Sequence, residues 1–123
     1  MVRKTVAAVV VALVALAVAA SALGRLETTK LKGTVGPGFT IHLTLNGKPV
    51  RSLKAGTYTF VISDKASIHN FTLEQEKGGK FEKDLTAVPF VGTKTVKVKL
   101  KPGKWKFYCK IHEPMMFGFF TVK

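Results

Sequence analysis

The closing stretch WKFYCKIHEPMMFGFFTVK, residues 105–123, decides how the rest of the chain is read. Alternation at period two puts Trp105, Phe107 and Cys109 on one face, and Lys104, Lys106 and Tyr108 on the other. Lysines mark the solvated face, so Cys109 points inward at the end of a strand. Beyond it come His112, Met115 and Met116, and Gly118 allows a turn back into FFTVK. The segment reads as strand, loop, strand. Its loop holds the one cysteine of the chain, one of 3 histidines and two of 3 methionines.

Upstream, short alternating runs are separated by turn residues. FTIHLTL (39–45) places Phe39, Ile41, Leu43 and Leu45 on one face, with Thr40, His42 and Thr44 on the other. Asn46-Gly47 is a hairpin signal. TYTFVIS (57–63), HNFTLEQ (69–75) and TKTVKVKL (93–100) are rich in β-branched, aromatic or alternating residues. Residues 74–85 are polar and glycine-containing, which predicts a loop or a short helix. Residues 24–38 read as a linker leading into a first edge strand. No segment after residue 24 has a helical period of useful length, so the pattern predicts an all-β sandwich or barrel.

The N-terminus is different in kind. Arg3 and Lys4 precede an apolar run from Val6 to Ala20, and Ala20-Ser21-Ala22 fits small-x-small cleavage. This reads as a secretory signal; the uncharged stretch 5–24 is also close to the ~20 residues of an uncleaved membrane anchor. Of 20 Lys and Arg, only Arg3 and Lys4 fall in the first 22 residues, leaving 18 against 7 Asp and Glu, a net charge of +11. Such a field suits an acidic protein partner or an anionic membrane surface, or simply keeps the domain soluble. Nucleic acid is excluded as a partner by export and by the lack of an Arg-rich, aromatic groove. A single cysteine forms no internal disulfide, and in an oxidising compartment it is a pairing thiol, a reactive thiol or a metal ligand.

The residues around Cys109 favour a metal. Thiolate, imidazole and thioether suit copper, and a plane of two His and one Cys with a long axial Met is the blue-copper arrangement. The second imidazole comes from His42 or His69. His69 follows a polar loop at the start of a strand, whereas His42 lies mid-strand on the polar side. Zinc has no use for the methionine. A cysteine hydrolase would need an orienting Asp and an oxyanion turn, and multicopper enzymes need more than 3 histidines.

SIHNFTL (67–73), followed by YCKIHEPMMFG (108–118), resembles the plastocyanin/azurin family of small blue copper proteins, the cupredoxins. The resemblance runs from about Gly33 to Lys123. It implies a Greek-key β-sandwich or barrel at 39–123, preceded by linker and edge strand at 23–38 and a signal peptide or anchor at 1–22. It implies one copper ion cycling between Cu(I) and Cu(II), held by His69, Cys109 and His112. Met116, in the register Met-x-Gly, would be the axial ligand, with Met115 as the alternative. Asn70 would tie the two ligand loops together. Pro114, Met115 and Phe117 would form an apolar collar for docking, with lysines beside it to steer an acidic redox partner.

The expected protein is thus not an enzyme. It is an exported monomer, periplasmic, cell-surface or secreted, that carries single electrons between redox proteins. A carrier or store that delivers copper itself uses the same ligands.

Overall fold

The computed structural model describes residues 27–123; the predicted signal or anchor lies outside the described residues. The alternating runs become strands β1 (Thr29–Val35), β2 (Ile41–Leu45), β3 (Lys48–Pro49), β4 (Ser52–Leu53), β5 (Gly56–Asp64), β6 (Phe71–Lys77), β7 (Glu82–Thr86), β8 (Gly92–Leu100), β9 (Gly103–Tyr108) and β10 (Phe117–Val122). One sheet has the order β3-β2-β1-β5-β8 and the other β4-β10-β9-β6-β7.

The two sheets face each other through their apolar rows. Leu31, Phe60 and Ile62 from the first meet Phe71, Leu73, Trp105, Phe107 and Phe120 from the second. Phe71 and Phe107 stack at 5.8 Å, and Trp105 over Phe120 at 6.2 Å. The buried indole N–H of Trp105 donates to the Lys101 carbonyl at 2.9 Å, so this large side chain leaves no polar atom stranded. The β2–β3 hairpin turns on Asn46 (φ 50°) and Gly47 (φ 79°), the two left-handed positions that suit the strand twist.

Several local expectations change. β1 is no edge strand: it runs between β2 and β5, antiparallel to one and parallel to the other. Its short alternation Leu31, Gly33, Val35 faces the core while Lys30 and Lys32 face water. Residues 74–85 hold no helix; they continue β6, turn at Gly78 (φ 92°) and return as β7, because pairing with β6 satisfies the backbone. Phe39 precedes β2 and is exposed. Tyr108, expected on the wet face, is only 5% exposed, its ring covered by Lys106.

The register also defines two ends. β1 and β5 finish side by side, Val35 against Asp64. β8 begins there, with Gly92 against Asp64. In the second sheet the start of β6 pairs with the end of β9, Thr72 against Tyr108. The loops 36–40, 65–70, 87–91 and 109–116 therefore gather at one end, and it is there that the candidate ligands meet.

Candidate metal centre

His69 enters this end through a tight turn. Asp64 closes β5, its Oδ1 accepts from the Ala66 N–H at 3.3 Å, and the His69 N–H donates to the Ala66 carbonyl at 3.3 Å. Cys109 enters from the end of β9. Its N–H donates to the Met116 carbonyl at 3.0 Å, which closes the loop on itself, and the Met116 N–H donates to the His112 carbonyl at 3.0 Å. The Lys106 ammonium binds Glu113 at 2.6 Å and holds the loop against β9.

These turns bring three donors together. Nδ1 of His69 and Nδ1 of His112 are 3.1 Å apart. Cys109 Sγ lies 3.9 Å from the first and 3.8 Å from the second. His69 and Cys109 are wholly buried and His112 is half-buried. With bonds of about 2.0 Å to nitrogen and 2.3 Å to sulfur, the lengths zinc makes to these donors, a trigonal centre sets the nitrogens about 3.5 Å apart and each about 3.7 Å from the sulfur. The observed triangle matches the two N–S edges and is somewhat shorter on the N–N edge, so the residues fit one ion. Three soft or borderline donors with no carboxylate among them suit copper better than a hard cation.

Met116 is fully buried beneath the loop, whereas Met115 is 59% exposed. His42 stands exposed on β2, across from Thr34, outside the cluster. Asn70 is buried: its Oδ1 receives the Lys110 N–H at 2.9 Å and its amide donates to Thr72 at 2.9 Å. The sequon Asn70-Phe71-Thr72 is therefore closed to glycosylation. Pro114, Met115 and Phe117 are exposed.

Three apolar residues at the rim escape the sequence reading. Phe39 sits edge-on to both imidazoles, 4.9 Å from His112 and 5.7 Å from His69 between ring centroids. Ile68 and Ile111, each just before a histidine, are more than half exposed. An apolar residue in a turn directly before each histidine is a readable signal; Phe39 carries none, because it alternates in phase with β2.

Charges flank the centre without entering it. Lys110 pairs with Asp84 at 2.9 Å and Glu82 at 3.4 Å, and the Asp84 hydrogen bond raises its pKa. The Tyr108 hydroxyl donates to Glu82 at 3.0 Å; burial first, then this hydrogen bond, push its pKa well up. Asp64 is 1% exposed and its Oδ2 has no partner. Burial raises its pKa, against the lowering effects of Thr86, the Ala66 N–H and His69. The Nε2 of His69 is likewise buried without a partner.

No protein-family model matches the chain, and no curated protein sequence matches it. Solved structures do. A structure of rusticyanin, described as a copper protein, superposes with a TM-score of 0.58 at 19% identity, over 80% of this chain and 79% of that one. Reduced rusticyanin gives 0.57 at 17% identity, over 80% and 82%. Rusticyanin from Thiobacillus ferrooxidans gives 0.51 at 21% identity, over 80% and 79%. The described residues thus have the two-sheet cupredoxin fold, with a buried His-Cys-His triangle at one end of the sandwich.

Proposed function

We propose that the protein is a type 1 (blue) copper protein that carries single electrons between redox partners outside the cytoplasm. The observation that carries this reading is the closed triangle of His69 Nδ1, Cys109 Sγ and His112 Nδ1, buried except for the His112 edge. Met116, buried where Met115 is not, would supply the thioether ligand in this reading. Bound there, copper supplies a one-electron Cu(I)/Cu(II) couple.

The chain's own part is to hold the donors and exclude water. His69 stands just before β6 and Cys109 just after β9, paired neighbours in one sheet, and the loops that carry them are closed by backbone bonds and by Asn70. A site that barely moves between oxidation states exchanges electrons with little reorganisation. His112 presents an imidazole edge at the surface beside Phe39, and Ile68, Ile111, Met115 and Phe117 are exposed in or next to the loops of this end. That apolar rim is the surface on which a redox partner docks, bringing its own centre close to the imidazole.

Lys110 is paired with Asp84 and Glu82, and Lys106 with Glu113, while Lys65 and Lys94 stand exposed at this end. Those lysines would steer an acidic partner, so its association rate should fall as salt rises.

The test is metal loading. Cu(II) added to the full chain should give an intense visible thiolate-to-copper band at one copper per chain. Cys109→Ser should abolish it and His42→Ala should leave it intact; survival of the band without Cys109 overturns the reading.

A further inference from the structure

We propose that the end of the sandwich opposite the His69–Cys109–His112 triangle docks on an anionic lipid bilayer. The inference stands on charge, strand direction and the apolar run 5–24 kept as an anchor, whatever metal the triangle holds.

β1 starts at Thr29 and reaches the metal end only at Val35, about 20 Å further along. The far end is built from the other strand termini, and lysines fill it. In the first sheet Lys30 lies second in β1, Lys54 precedes β5, and Lys99 and Lys101 lie where β8 ends against Gly56. In the second sheet Lys77 pairs with Lys104, and Lys123 bonds through its backbone to Leu53 and Ala55. All are exposed, and Glu27 and Glu76 are the acidic residues near them. A groove of about 310 Å³ opens there, lined by Lys80, Lys99 and Lys101 over Phe81 and Trp105, with room for a phosphate headgroup.

Three observations choose a bilayer over an acidic protein. First, the chain itself leads there: the uncharged run 5–24 is of membrane-spanning length and joins the domain at β1's start. From Gly24 to Thr29 a fully extended chain spans at most about 18 Å, enough to seat the lysine end on a surface but not to bring the metal end round to it. Second, among the described residues the exposed large apolar side chains that a protein interface buries at its centre lie at the metal end or, for Phe119, mid-strand, and none is at the lysine end. Third, the charge there is mostly lysine, with Arg51 beside Thr121 the one arginine of the described residues, and such point charges suit a diffuse anionic surface more than the planar fork of arginine suits a shaped acceptor. The Debye length of about 8 Å at physiological salt lets the lysine end feel the surface and leaves the metal end outside it. Docked this way, the half-exposed His112 faces away from the membrane, open to partners.

Amine footprinting tests this. The full chain is reconstituted in vesicles of phosphatidylcholine alone or mixed with phosphatidylglycerol, briefly acylated, and read residue by residue by mass spectrometry. On the anionic vesicles Lys54, Lys77, Lys99, Lys101 and Lys104 should react several-fold more slowly, and near 1 M salt, where the Debye length is about 3 Å, the difference should vanish. Lys65 and Lys94, exposed at the metal end, should react equally in both lipids and report that the domain is folded. The triple substitution Lys80→Gln, Lys99→Gln, Lys101→Gln should remove most of the protection at Lys54 and Lys104. Equal rates at the lysine end in both lipids overturn the proposal and leave an acidic protein as the occupant. Protection of Lys65 and Lys94 instead overturns it by putting the metal end on the membrane.

Discussion

The backbone N–H of Lys110 donates to Oδ1 of Asn70 at 2.9 Å, and this bond joins the two loops that carry the candidate ligands. Asn70 follows His69 and Lys110 follows Cys109, so the bond fixes the separation of imidazole and thiolate. The Asn70 amide is itself anchored to Thr72, which donates in turn to Asp84. Asn70→Ala leaves the Lys110 N–H without its acceptor and removes a buried amide, a loss of about 1–3 kcal/mol. Denaturant unfolding of the metal-free protein should show that loss. Copper should also dissociate faster to a chelator, because the triangle is no longer held before the ion binds.

Burial separates the two methionines. Met116 is 0% exposed and Met115 59%. Met116→Ala should cost about 2–5 kcal/mol as a cavity in a packed region, and it should shift the visible spectrum and reduction potential of the copper form. Met115→Ala should stay within about 0.5 kcal/mol and leave the spectrum unchanged, while slowing electron exchange with a partner that docks on the rim. A spectral change on loss of Met115 alone would sink the assignment of Met116.

Much of this was legible because the chemistry is local. Cys109 and His112 share one loop, and period two in β9 already aims Cys109 inward. Pairing His69 with them follows from where β6 starts beside the end of β9, which the turn residues mark. What the alternation could not give was neighbours. β1 reads as an edge because its run is short and lysine-rich, yet it is covered on both sides by β2 and β5. Tyr108 has the parity of a solvent-facing residue, but Lys106 lies over its ring and Glu82 takes its hydroxyl. The lysines likewise read as one diffuse charge until the register placed Lys54, Lys77, Lys99, Lys101 and Lys104 at the end away from the triangle, and Lys94 at the end that holds it.

Gly36 links β1 to the centre. Its φ is +76°, and a Cβ there would lie 2.9 Å from Cδ2 of His69. Gly36→Ala therefore adds backbone strain of order 1–2 kcal/mol and presses on a fully buried ligand ring. The ring can yield only by displacing Nδ1 from the triangle. Lower thermal stability should come with weaker copper binding and an altered charge-transfer band. Gly38→Ala, two residues on with open space at its Cβ, should change none of these.

Asp64 makes the stability of the metal-free protein depend on pH in an unusual sense. Its carboxylate is buried with one oxygen unpartnered, and its folded pKa is raised above the ordinary 3.8. The folded state therefore binds this proton more tightly than the unfolded chain does. At neutral pH the buried charge costs stability. As pH falls through the raised folded value towards 3.8 the cost disappears, because the proton is taken up on folding. Asp64→Asn keeps an acceptor for the Ala66 N–H and removes the charge. It should unfold at higher denaturant than the parent at neutral pH, and the gap should close as the solution is acidified towards 3.8. A gap that widens in acid would mean that the carboxylate is stabilised as an anion, through Thr86 and His69, more than burial opposes it.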